Sequence, residues 1–120
     1  MKTISISPPN SLILVMDFAT GIVPEVMGNG LVSATESCVA IGCQSEQDGP
    51  TEIRFGRADE IAPAELLVFD GEISTPNKQL SICTVMNENL LSTYVSGMKT
   101  HVRVFANDAV EPDRIFVLFT

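Results

Sequence analysis

Short runs with β-strand patterning recur about every ten residues along this chain, and residues that turn the backbone stand between them. That cadence leaves few architectures open. Residues 3–7 alternate apolar and polar side chains and then meet Pro8-Pro9-Asn10, which cannot continue a ladder and marks a short edge strand. Residues 12–16 are apolar throughout, as a strand buried on both faces requires. Residues 38–43 pack small and β-branched side chains around Gly42. Behind Asp48-Gly49-Pro50, residues 51–55 alternate, sending Ile53 and Phe55 inward and Glu52 and Arg54 outward.

The second half repeats the theme. Residues 66–73 form a run interrupted at Asp70-Gly71, and Thr75-Pro76-Asn77 turns the chain into residues 79–86, so the two runs are expected to pair as a hairpin. Asn29-Gly30 suits a tight hairpin turn of its own. Residues 58–62 carry a helical pattern that Pro63 limits to about one turn, and in residues 87–96 Asn89 suits the cap of a short helix while Thr93, Tyr94 and Val95 favour a strand, with strand or loop preferred. At the end, Val102, Val104 and Ala106 alternate with His101, Arg103 and Phe105. Residues 115–119 are apolar at every position, which suits a strand covered on both sides or one lying in a partner's groove. Eight or nine such strands predict an all-β, antiparallel, jelly-roll-like sandwich spanning residues 1–120 as a single domain. Ile53, Ile82, Val102 and Val104 are its expected core.

Charge narrows the partners. Fifteen acids against seven Lys and Arg give a net charge of −8, which a nucleic-acid backbone repels. Residues 1–72 hold eleven of the acids against Lys2, Arg54 and Arg57, so the whole of the −8 falls there and the remainder is neutral. Asp48, Glu52, Asp59 and Glu60 in that half are the candidate contacts for a basic protein partner.

Chemistry is sparse by comparison. Cys38, Cys43 and Cys83 are odd in number and have no zinc-like spacing, so they read as buried free thiols of a reducing cytoplasm. The start lacks the apolar run of a signal peptide, and no stretch approaches the ~20 apolar residues that span a bilayer; a cytoplasmic protein without membrane association is expected. The single histidine, His101, sits between Lys99 and Arg103 and reads as a rim position rather than a general base. Gly28-Asn29-Gly30 supplies two glycines of a dinucleotide fingerprint, but Ser33 stands where the third belongs. The acidic pairs Asp59-Glu60 and Asp70-x-Glu72 lack the ligand spacing of a calcium loop. No catalytic residue, metal ligand or cofactor is therefore assigned.

Three segments carry a resemblance: Asp48-Gly-Pro before Glu52-Ile-Arg-Phe55, Thr75-Pro before Leu80-Ser-Ile82, and Gly97 four residues before His101-Val-Arg-Val104. Over residues 30–120 this strand-and-turn pattern resembles small bacterial all-β proteins, among them nuclease inhibitors of the competence protein J type. The resemblance implies a sandwich that works by protein recognition. The expected function is then a non-enzymatic inhibitor or immunity-type protein whose acidic half occupies a basic site on a nuclease or toxin. Two alternatives accompany it: a structural module that self-associates as a homodimer, and a hydrolase using carboxylates in a sandwich cleft.

Overall fold

The computed structural model describes residues 1–25, 27 and 30–120. Ten strands form two five-stranded sheets, and no helix longer than a three-residue 3-10 turn occurs among these residues. The strands are β1 (Lys2–Ile6), β2 (Leu12–Met16), β3 (Val32–Ala34), β4 (Cys38–Gly42), β5 (Thr51–Arg57), β6 (Leu66–Ser74), β7 (Gln79–Cys83), β8 (Asn89–Tyr94), β9 (Lys99–Ala106) and β10 (Arg114–Phe119). The first sheet has the order β1-β5-β10-β9-β6 and the second β3-β4-β2-β7-β8. The sandwich expectation holds, with ten strands rather than eight or nine.

Side chains with a period of two fill the space between the sheets. Ile13, Val15, Val39, Ile41, Leu80 and Ile82 of the second sheet meet Ile53, Phe55, Val102, Val104, Ile115 and Val117 of the first. Each buried aliphatic side chain contributes on the order of 1.5–3 kcal/mol, so this layer holds the two sheets together. The four expected core residues, Ile53, Ile82, Val102 and Val104, all lie in it fully buried.

Residues 12–16 of β2 and 115–119 of β10 are apolar at every position because both faces of these strands are covered. In β2, Leu14 and Met16 point away from the main core into a second cluster with Cys38, Ala40 and Cys83, over which Phe18 and Met27 of the β2–β3 connection pack. In β10, Phe116 and Leu118 are buried on the outer face of the first sheet, and the Arg54 guanidinium lies 5.4 Å from the centre of the Phe116 ring. β10 sits in the middle of its sheet between β5 and β9, so the alternative that it lies in a partner's groove is excluded.

Strand pairing departs from expectation in three places. Residues 66–73 and 79–86 do not form a hairpin: β6 pairs with β9 in one sheet and β7 with β2 and β8 in the other. The irregularity in β6 falls between Leu67 and Phe69, not at Asp70-Gly71. Residues 58–60 form a tight turn, with the Glu60 N–H on the Arg57 carbonyl at 3.0 Å, and the helical turn expected over 58–62 does not form, Pro63 having no N–H to extend it. Residues 89–94 resolve as strand. The Asn29-Gly30 turn and the Gly28-Asn29-Gly30 motif lie largely outside the described residues.

One pairing decides where function can sit. β10 runs parallel to β5, against the otherwise antiparallel grain. The segments that enter these two neighbours therefore share one end of the sandwich, and the segments that leave them share the other.

Candidate functional site

At the entering end, residues 44–50 and 107–113 lie side by side. The Gln44 N–H donates to the Pro112 carbonyl (2.9 Å) and the Glu52 N–H to the Asp113 carbonyl (2.8 Å). The long β9–β10 loop is shaped by its own short polar side chains. Asn107 Oδ1 accepts from the N–H groups of Asp113 (3.2 Å) and Arg114 (3.1 Å), closing the loop at its base. Asp108 accepts from Val110 N–H (2.8 Å) and Glu111 N–H (3.3 Å), which holds its carboxyl below the usual Asp value and turns Val110 outward, 76% exposed.

This end gathers acid from distant parts of the chain. Glu46, Asp48, Asp108, Glu111 and Asp113 are all exposed, and none has a cationic partner among the described residues. Glu52 lies alongside but is hydrogen-bonded to Arg54. A shallow depression of about 340 Å³ opens beside these groups, lined by Leu12, Met27, Leu31, Ala109 and Val110. An apolar centre with a charged margin is the ordinary anatomy of a protein interface.

The opposite end has the other sign. A cleft of about 670 Å³ opens there between the start of β1, the ends of β5 and β10, and the β8–β9 turn. Its floor is the tilted ring pair Phe55 and Phe119, with centroids 5.5 Å apart, together with Val95. Tyr94 stands on the rim, 88% exposed. Lys2, Arg57 and Lys99 line the cleft against Asp59 and Glu60, so it is positive within a chain of charge −8. Lys99 has no partner among the described residues, while the Lys2 ammonium bonds the Ser92 carbonyl. The turn that walls the cleft is fixed from behind by Thr75, whose N–H donates to the Met98 carbonyl (2.7 Å) and whose hydroxyl donates to Gly97 (2.8 Å). The buried Thr100 hydroxyl completes this network at 2.9 Å.

The four sequence candidates thus divide into two pairs. Asp48 and Glu52 lie at the acidic end; Asp59 and Glu60 lie at the cleft, with β5, roughly 20 Å of strand, between them. Asp59 bonds Arg57 twice at 3.2 Å. Glu60 accepts from the Met1 ammonium (2.7 Å) and the Arg57 N–H (2.8 Å), and these hydrogen bonds hold its carboxyl below the usual range. A general acid for glycoside cleavage needs the opposite shift. Asp108, Glu111 and Asp113 were missed in the sequence because nothing local ties residues 107–113 to residue 48; the nearest signal was the density of Asn, Asp and Pro in that loop.

His101 is a half-exposed rim residue on the outer face of the first sheet, as expected, but its neighbours differ from those along its own strand. Asp70 of β6 hydrogen-bonds its Nε2, and Arg103 Nε lies 3.6 Å from the same carboxylate. Among the described residues no group of three or more His, Cys, Asp or Glu side chains is arranged to hold a metal ion, and no helix is long and apolar enough to cross a membrane. The three cysteines are free and buried, and burial pushes the Cys38 and Cys83 thiols up to about 12. No protein family, curated protein or solved structure matches this chain, so the likeness to competence-type inhibitors rests on the strand-and-turn pattern alone.

Proposed function

We propose that this chain is a non-enzymatic recognition module that docks its acidic end onto a basic surface of another protein. The observation that carries the reading is the apolar depression around Leu31 and Val110 set beside carboxylates that have no cationic partner among the described residues. Unpaired charge steers encounter from a distance, and an apolar centre supplies contact once water is expelled. The partner class that fits is a protein with a cationic groove, such as the substrate site of a nuclease or toxin, which rigid acidic loops can occupy in place of phosphates. The contact set becomes Asp48 and Glu52 with Glu46, Asp108, Glu111 and Asp113; Asp59 and Glu60 leave it, being at the other end and already paired. Three free thiols suit work in the cytoplasm.

The test uses a photo-crosslinking residue at position 111 in the native cell, with position 78 as a distant control. A discrete basic protein should be captured from 111 and not from 78, and Asp48→Lys with Asp113→Lys should abolish the capture. Capture that is equal from both positions, or indifferent to charge reversal, would exclude this reading.

A further inference from the structure

The two ends of the molecule match each other. The β9–β10 loop presents an exposed apolar side chain, Val110, flanked by Asp108 and Glu111. The cleft at the far end offers the complement, an apolar floor of Phe55, Phe119 and Val95 beneath Lys2 and Lys99. Because β5 and β10 are parallel neighbours, loop and cleft lie at opposite ends of the strand axis and cannot meet within one copy. From this matching of opposite charge and of apolar groups we infer that the cleft receives the 107–113 loop of a second copy, joining molecules head to tail.

Several physical features favour this occupant. Among the described residues neither Lys99 at the rim nor Glu111 beside Val110 has an ion-pair partner, so neither must break an ion pair on docking. The loop is preorganised by the Asn107 and Asp108 hydrogen bonds, and the receiving turn by Thr75, which lowers the ordering cost of association. With a net charge of −8, copies repel in orientations that bring acidic ends together, and the head-to-tail alignment is the one that opposes unlike charge. Such a contact is heterologous: it uses two different surfaces and propagates unless it closes into a ring. It differs from a symmetric homodimer across an apolar sheet face, which salt would leave intact. It also needs no foreign partner, so it stands or falls separately from the proposed function.

Sedimentation velocity on the purified chain at low ionic strength tests it. The expected result is a sedimentation coefficient that rises with concentration and falls back as salt is added. Lys99→Glu and Glu111→Lys should each weaken association at least tenfold, with circular dichroism confirming that both variants fold; Val110→Asp gives an independent third variant. Mixing Lys99→Glu with Glu111→Lys should restore association, because the intact loop of the first meets the intact cleft of the second. A strict monomer at all concentrations, association indifferent to salt and to these variants, or a mixture no stronger than its components would overturn the inference.

Discussion

The fully buried Asp17 carboxylate, at the end of β2, accepts the backbone N–H of Asn77 at 2.8 Å and its side-chain amide at 3.2 Å, across sixty residues of sequence. It also takes the Ala19 N–H at 3.2 Å, while its own carbonyl accepts from Thr20 and Gly21. One side chain thereby starts the β2–β3 connection over the outer face of the second sheet and ties it to the β6–β7 turn. Asp17→Ala should cost about 1.5–3 kcal/mol, because it removes the hydrogen bonds that the Asn77 and Ala19 N–H groups make to a buried carboxylate. Asp17→Asn, which keeps an acceptor, should cost less; urea denaturation of both variants measures the difference.

Thr51 makes the opposite prediction. Among the described residues its buried hydroxyl meets no partner stronger than the Cys43 thiol, a weak hydrogen-bonding group. Thr51→Val should therefore be neutral or stabilise the fold by up to about 1 kcal/mol. Ile82→Ala, in the layer between the sheets, should by contrast cost about 2–5 kcal/mol. The same denaturation experiment compares them.

The buried thiols make stability depend on alkaline pH. In the fold Cys38 and Cys83 hold their protons up to about 12, against an ordinary value of 9.0. The folded state thus binds protons more tightly, and the resulting stability is complete below pH 9 and declines as pH rises from there toward 12. Cys38→Ala with Cys83→Ala should flatten that decline. A thiol-labelling reagent at neutral pH should modify both residues only as fast as the protein opens.

On the acid side, Asp108 works in the reverse sense. Its lowered value means that the folded loop favours the carboxylate, so its contribution is present above the ordinary Asp value of 3.8 and is lost as pH falls through the lower folded value. Protection of the Val110 and Glu111 amides, measured against the intrinsic exchange rate at each pH, should fall in that acid range, and Asp108→Ala should lower it only above that range.

Much of the fold was legible because strands advertise themselves locally. The alternation of Ile53 and Phe55 with Glu52 and Arg54, and the solid apolar runs of β2 and β10, follow from which faces are covered. What could not be read was which strand lies beside which. β6 and β7 are joined by a short turn yet belong to different sheets, since the pairing of Phe69 with Val104 and of Ile82 with Val15 is set by long-range packing. The site shared this limit. Asp48 was visible as an acid opening the turn before residues 51–55, but its company with Asp113 depends on β10 lying parallel to β5, and Asp59 parts from it for the same reason.

The central claim, that the acidic end formed by residues 44–50 and 107–113 is the docking surface for cations, is tested most directly by titrating the isotope-labelled chain with octa-arginine and following amide chemical shifts. Saturable, salt-sensitive shifts concentrated in those two segments, extending to Leu31 and absent from Asp59 and Glu60, are expected. Shifts spread evenly over the exposed acids, or centred on the Tyr94–Lys99 cleft, would contradict it.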